Sequence, residues 1–310
     1  MNTWKRAGIA LTATAVVTGV AGCQDGDAKS AAEAPAKAAA QGIADVTKAL
    51  TAAFEKTSAA KSAKVSMTMT LEGVGAAESG TITMTGVQGW DPAAMDFTMK
   101  GSLLGGGAGA GSAKAPEQIR MVMRDEAMYM DMGPEAAAEM DGKRWMKIDL
   151  KAAAAAGGDK GVQKSMTGGL ENANQDPAQQ LALLLESPNL KHVGAEKVNG
   201  METEHYKGTL TFEQMLKANN STKLLSQKEY DELVANVKKT GLKGYETEVW
   251  VNEDGYPARM DVSMTMAQGS VHMRADYTDY GAEATVQVPP AKDTVDLFKM
   301  IQEAGGAEQG

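Results

Sequence analysis

Residues 259–266 read R-M-D-V-S-M-T-M, a strict alternation of polar and apolar side chains. Successive side chains of a β-strand point to opposite faces, so this stretch predicts a strand with one apolar and one solvated face. A Gln268-Gly269 turn leads into the same alternation at residues 271–277. The two stretches together predict an antiparallel hairpin that buries one face only.

The alternation recurs along most of the chain. It predicts strands at residues 65–71, 81–85, 95–99, 119–123, 128–132, 145–150, 190–198, 201–210, 245–251, 259–267 and 271–277. The Asn199-Gly200 dipeptide between two of them is a strong hairpin signal. About ten or eleven one-sided antiparallel strands predict a single strongly curved sheet, and amphipathic helices must cover its concave face.

Helical spacing separates and flanks the strands. It predicts helices that carry Ile43, Val46, Leu50 and Phe54; Leu181, Leu184 and Leu185 after Asp176-Pro177; Thr211 and Gln214; Ser226 and Glu229; and Val295, Phe298 and Ile301 within residues 293–303. The Thr211/Gln214 and Ser226/Glu229 pairs have the spacing of a capping box. The predicted fold class is therefore α+β.

A leader precedes this domain. Lys5 and Arg6 come before an apolar run over residues 7–20, and Cys23, the only cysteine in the chain, follows Ala21-Gly22. The stretch resembles a bacterial lipobox, which implies removal of residues 1–22 and a diacylglycerol and palmitate anchor on Cys23. We expect residues 23–41 to be a flexible tether with a reach of about 60 Å, residues 42–303 to be the folded domain and residues 304–310 to be a disordered tail.

Composition limits the partners. Without Lys5 and Arg6, 29 basic residues face 40 acidic ones, a net charge of −11. Such a domain repels phosphate backbones, so nucleic acid is not an expected partner. A single cysteine leaves no disulfide. The sequence predicts a monomer that is anchored through Cys23 on the outer face of the cytoplasmic membrane.

Methionine is the unusual component: 21 methionines stand against 4 Trp, 7 Tyr and 4 Phe. Methionine fills irregular apolar space. The candidates for lining an apolar cavity are Met67, Met69, Leu71, Met84, Met95, Phe97, Met99, Met121, Met123, Met130, Met260, Val262, Met264, Met266, Val271 and Met273. Alternation alone does not distinguish a ligand cavity from a filled core.

Two hairpin sequences suggest a family. H-V-G-A-E-K-V-N-G-M-E-T-E-H-Y-K-G-T at residues 192–209 and E-V-W-V-N-E-D-G-Y-P-A-R-M at residues 248–260 resemble hairpins of actinobacterial lipoproteins of the LppX/LprAFG type. The resemblance covers roughly residues 43–298. It implies a half-open β-barrel, similar in shape to the LolA/LolB carriers, with an apolar cavity between sheet and helices that holds acyl chains. It implies a lipid or lipoprotein carrier in the cell envelope, and it brings no catalytic motif and no cofactor.

Two alternatives remain. One is a cell-surface scaffold or sensor lipoprotein with a filled core and no transport role. The other is a Cu(I)-binding protein, because methionine pairs such as Met121/Met123 and Met264/Met266 offer thioether ligands. The same spacing is what any strand gives its core face. We do not expect an enzyme, because the sequence has no H-E-x-x-H, G-x-S-x-G or Walker motif.

Overall fold

The computed structural model describes residues 30–73, 79–106, 118–149, 152, 177–218 and 227–300. The chain divides into two units, residues 1–41 and 42–310. The predicted signal peptide, Cys23, Ser226, nearly all of residues 151–175 and the predicted tail lie outside the described residues.

A single sheet of twelve strands forms the body of the second unit. The strands are β1 (Ser62–Glu72), β2 (Gly80–Trp90), β3 (Ala93–Gly101), β4 (Gln118–Arg124), β5 (Ala127–Asp131), β6 (Trp145–Asp149), β7 (Lys191–Val198), β8 (Met201–Leu210), β9 (Tyr245–Asn252), β10 (Pro257–Met266), β11 (Gly269–Thr278) and β12 (Thr294–Asp296). Their order is β12-β6-β5-β4-β3-β2-β1-β11-β10-β9-β8-β7, so β12 and β7 are the edges and the sheet does not close. The predicted fold class, α+β with a single open sheet that is mostly antiparallel, is confirmed. The described residues form twelve strands instead of the predicted ten or eleven, and β12 is parallel to its neighbour.

Strand β12 corrects the prediction of a helix over residues 293–303. Residues 294–296 pair in parallel with β6, with Val295 opposite Met146. Helical backbone begins only at residue 297. The β-branched side chains of Thr294 and Val295 favour a strand, and the edge of β6 offers the partner that the sequence pattern does not reveal.

The helices whose two ends lie within the described residues are α1 (Ser30–Ala60), α2 (Gly133–Glu139), α3 (Pro177–Leu185), α4 (Phe212–Ala218) and α5 (Gln227–Lys239). Helix α1 begins inside the predicted tether, so the expectation of a flexible segment is corrected for residues 30–41. Alanine, lysine, glutamate and glutamine are strong helix formers even where no apolar stripe is present. None of the helices in the described parts of the chain is long and apolar enough to cross a bilayer.

Local signals explain where two helices begin. The predicted capping box of α4 is confirmed: the Thr211 amide donates to the Gln214 side chain at 2.8 Å, and the Gln214 amide donates to the Thr211 hydroxyl at 3.2 Å. Helix α2 was not predicted, although proline in its first turn is a typical start signal.

The segment between β11 and β12 crosses the polar face of the sheet. The Gly281 amide donates to the Ser62 carbonyl at 2.9 Å. Farther along, Val286 is 2% exposed and packs with Ala94 and Val122 in a small second core. Beyond these contacts the chain reaches the edge of the sheet that lies opposite β7, where β12 pairs with β6.

Candidate functional site

The strand registers bring the predicted lining residues together on one face of the sheet. Directly opposed residues in an antiparallel ladder share a face. Met67 lies opposite Met84, and Met84 lies opposite Met99. Met69 lies opposite Met273, which lies opposite Val262. All the predicted lining residues fall on this apolar face, whereas their role in lining a cavity remains a prediction.

One end of the apolar face is filled. We call it the covered end; its members are Val65, Met95, Phe97, Met123, Met260, Ala275 and Tyr277. Leu50 of α1 and Leu181 of α3 are fully buried in the same cluster. Met95 is 1% exposed and Met260 is 3% exposed. Helices α1 and α3 therefore occupy the space above this end.

The other end of the same face keeps contact with solvent. We call it the open end; its members are Met69, Leu71, Met99, Val262, Met264, Met266, Val271 and Met273. Each of these side chains is half-buried, and none belongs to a buried core cluster of the described residues. The remaining predicted residues, Met67, Met84, Met121 and Met130, are half-buried and lie between the two ends.

Helix α4 flanks the open end beside β8 and β9. The rings of Phe212 and Tyr245 stack with their centroids 6.5 Å apart, and Tyr245 lies opposite Met264 in the ladder. Burial raises the pKa of the Tyr245 hydroxyl, because the phenolate loses hydration there. The aromatic pair thus forms an apolar wall at this side of the open end.

Leu103 borders the open end on the opposite side. It lies in the 3₁₀ helix Ser102–Gly106, and a Cβ added at Gly80 would come within 2.8 Å of Leu103 Cδ2. Gly80 is opposite Leu71 and therefore belongs to the apolar face. Sequence reasoning missed Leu103 because it opens a Gly/Ala-rich stretch without alternation, and only the absent side chain of Gly80 lets it approach.

Ile82 and Met146 also lie on the apolar face, through pairing with Met69 and Met130. Both were left out of the predicted lining residues. The signal was available, since each occupies the apolar position of a strand that the sequence predicts.

The polar face carries paired charges. Arg274 donates to Asp261 at 2.6 Å, and this hydrogen bond raises the pKa of the guanidinium. Arg120 and Asp96 form a similar pair at 2.6 Å. Each of these two ion pairs joins neighbouring strands, β10 with β11 and β3 with β4. The paired charges therefore help to hold these strands in register.

Two of the three histidines lie on the polar face. His205 stacks on Trp250 with centroids 4.2 Å apart, and its Nε2 lies 2.7 Å from Glu248 Oε2. His272 lies 3.5 Å from Asp261. The described residues hold no group of three or more His, Cys, Asp or Glu side chains that could hold a metal ion.

A cleft of about 730 Å³ opens on the polar face. Its lining residues are Lys64, Val65, Ser66, Thr85, Gly86, Val87, Asp96, Asn199, Asp276 and Thr278. Asn199 reaches it from the β7–β8 turn and donates to Asp276 at 2.9 Å. None of the predicted lining residues borders this cleft, and Val65 is the one member of the covered end that does.

Comparisons with known proteins give relatives in Streptomyces. An uncharacterized 31.2 kDa protein encoded in the rplA–rplJ intergenic region of Streptomyces griseus is 30% identical over 266 residues, which cover 83% of this chain and 80% of that protein. A candidate lipoprotein of Streptomyces coelicolor, SCO4650, is 23% identical over 310 residues, covering 96% and 94% of the two chains. No protein-family model matches the chain.

Among solved structures, the lipoprotein LppX of Mycobacterium tuberculosis matches with a TM-score of 0.41 and 12% identity, over 78% of this chain and 98% of that one.

Proposed function

We infer a function from the site, because this chain belongs to one family with the 31.2 kDa Streptomyces griseus protein, whose activity is itself undescribed. We propose that the protein is a membrane-anchored lipoprotein that binds lipid acyl chains on its apolar face. The single observation that carries the proposal is the division of that face. One end is filled by α1 and α3, while the other end presents half-buried methionine, leucine and valine side chains. The members of the open end are the residues that we propose to line the acyl site.

The apolar surface that is exposed to water at the open end provides a driving force for binding an acyl chain. Removing apolar surface from water is worth about 25 cal/mol per Å², or about 0.8 kcal/mol for each methylene buried. A chain laid along Met273, Val262 and Met264 would bury its own methylenes and these side chains together. Burial of about 15 methylenes, the length of a fatty acyl chain, supplies about 12 kcal/mol. That covers the about 8 kcal/mol of micromolar binding and about 4 kcal/mol for the cost of association.

Methionine suits such a ligand. Its thioether side chain is unbranched and adapts to irregular apolar shapes. A face built from Met69, Met99, Met264, Met266 and Met273 could repack around chains of different length. The Phe212–Tyr245 pair and Leu103 would border the bound chain on its two sides.

The anchor completes the proposal. Acylation of Cys23 would hold the domain at the outer face of the cytoplasmic membrane, and the name of the Streptomyces coelicolor relative supports a lipoprotein. An anchored acyl site near the bilayer serves carriage or transfer of lipid or of an acylated protein within the envelope. The proposed role contains no catalytic step.

The test uses a soluble Cys23→Ser form of the full chain, purified from cells in which the wild type is made. Native mass spectrometry is expected to find co-purifying acyl lipid, and the delipidated protein is expected to bind a fluorescent fatty-acyl probe. A protein that co-purifies with no lipid and does not bind the probe would contradict the proposal. That result would favour the cell-surface scaffold with a filled core.

Cu(I) binding is the remaining alternative. His205 and His272 lie on the polar face, opposite the methionines, so they offer no imidazole ligand to the open end. Titration of the same protein with Cu(I) against a chromophoric chelator is expected to show no transfer of copper to the protein.

A further inference from the structure

We propose that the amphiphile held at the open end carries an anionic head group, a carboxylate or a phosphate, which Lys239 and Lys243 bind where strand β10 ends. The inference rests on the proposed function and adds the chemical class of its ligand.

The chain between α5 and β9 runs along the last residues of β10. The Lys243 amide donates to the Thr265 carbonyl at 3.1 Å, and the Ala267 amide donates to the Thr240 carbonyl at 3.0 Å. A Cβ added at Gly241 would come within 2.6 Å of Ala267 Cβ, so the two segments touch closely. Thr265 lies between Met264 and Met266, so Lys239 and Lys243 stand at the rim of the open end.

These two lysines have no acidic partner among the described residues. Lys239 Nζ has one long contact, 3.4 Å to Asn236 Oδ1, and Lys243 is exposed without an ion pair. Their neighbour Lys238 differs, because it pairs with Glu213 at 2.7 Å. Within the described part of the chain, the two ammonium groups are therefore unpaired.

The wider rim repeats this excess. Lys100 at the end of β3 and Lys217 in α4 are also exposed and have no ion pair among the described residues. The nearby Glu246 is paired with Lys207. Glu72, which ends β1 at the same rim, is also exposed and has no ion pair among the described residues. Four unpaired ammonium groups thus stand against one unpaired carboxylate at the described rim of a chain whose net charge is −9. Charge complementarity points to an anionic head group there.

The geometry suits an amphiphile. Its chain would follow the methionines of β10 and β11, and its head group would reach water at the strand ends. Lysine binds carboxylate and phosphate as a mobile point charge, so it does not require one head-group geometry. The interaction with an exposed ammonium is screened by salt, whereas burial of the chain is not.

The experiment compares two ligands that share one chain. Oleate and oleyl alcohol displace a bound fluorescent acyl probe from delipidated Cys23→Ser protein at pH 8 and low salt, and inorganic phosphate is a third competitor. The double variant Lys239→Gln/Lys243→Gln is expected to bind oleate more weakly than the unaltered protein does. The expected loss of affinity is about twofold to fivefold for each ion pair between an exposed lysine and the head group. Its affinity for oleyl alcohol is expected to stay unchanged. Lys48→Gln/Lys292→Gln removes the same charge from exposed positions away from the rim and is expected to change neither affinity.

The outcomes separate the two proposals. Equal oleate affinity in the rim double variant and the unaltered protein would overturn this inference alone. So would displacement by inorganic phosphate at the concentration of oleate, which would indicate a free-anion site. Failure of both oleate and oleyl alcohol to bind the unaltered protein would overturn the proposed function and this inference together. A preference for oleate that disappears in the rim variant and in high salt supports it.

Discussion

The two ends of one apolar face have nearly the same composition and different surroundings. At the covered end, Met260 and Met95 are buried beneath Leu50 and Leu181. At the open end, Met264 of the same strand as Met260 stays half-buried. The difference teaches that methionine content does not decide whether a sheet face is core or binding surface. The position of the covering helices decides it.

The largest expected effect lies at the covered end. Leu181→Ala removes a fully buried side chain from the contact between α3 and the sheet. We expect a loss of about 2–5 kcal/mol in the free energy of unfolding, from lost burial and the cavity left behind. Urea denaturation followed by circular dichroism measures it. A loss below about 1 kcal/mol would show that α3 does not fill this end.

A charge at the open end is expected to act on binding. Met273→Asp places a carboxylate among Met69 and Val262, its cross-strand neighbours. The affinity for a fluorescent acyl probe is expected to fall at least about tenfold, which corresponds to about 1.4 kcal/mol. The matched control is Ser263→Asp, on the polar face of β10, which is expected to bind the probe like the wild type. Equal binding by both variants would contradict the placement of the ligand.

Truncation at the open end is expected to cost little stability. Met264→Ala removes a half-buried side chain that already touches solvent. We expect a loss of less than about 1.5 kcal/mol, since part of the transfer free energy is absent from the start. Met260→Ala, four residues earlier on the same face, is the matched variant and is expected to cost about 2–5 kcal/mol. Similar losses in the two variants would remove the distinction between the ends.

Oxidation distinguishes the two ends without mutation. Peroxide converts exposed methionine to the polar sulfoxide faster than buried methionine. Among the methionines of the two ends, peptide mass spectrometry is expected to find sulfoxide earlier at Met264, Met266 and Met273 than at Met95 and Met260. Probe binding should decline with the early group. Oxidation at equal rates in both groups would contradict the burial that separates them.

The smallest expected effect is a pH dependence at the wall of the open end. Burial raises the pKa of Tyr245, so the folded state holds this proton more tightly than the unfolded state does. The stabilising contribution is fully present below the unfolded tyrosine pKa of about 10 and is lost as pH rises through the higher folded pKa. Tyr245→Phe is expected to make the loss of stability above pH 10 less steep, as followed by urea denaturation. An unchanged pH profile in this variant would contradict the shift.

The sequence predicts well which side chains share a face of the sheet. It predicts poorly which end of the apolar face the helices cover. Alternation at Met67, Met69 and Leu71 determines which side chains share a face, because the period of a strand is two. It contains no information on which end of that face a helix will cover. The contact of Leu50 and Leu181 with the sheet depends on chain paths between distant elements, and the sequence patterns do not specify those paths.

Local signals were incomplete at other points. Val295 fits a helical stripe, yet it pairs with Met146 on β6, so a tertiary partner overrides a weak helical pattern. Leu103 has no periodic neighbours, and its place at the rim follows from Gly80. No sequence pattern indicates that Lys239 and Lys243 lie at the rim of the open end. Their position beside β10 depends on two backbone hydrogen bonds that spacing cannot predict.

The most direct test of the central claim is photo-crosslinking with a fatty acid that carries a diazirine in its chain. The probe is bound to delipidated Cys23→Ser protein, irradiated and located by peptide mass spectrometry. The account predicts labels on peptides with the open-end residues of β1, β10 and β11, above all Met264, Met266, Val271 and Met273. Labels confined to the polar-face cleft around Ser66, Thr85 and Asn199 would contradict it.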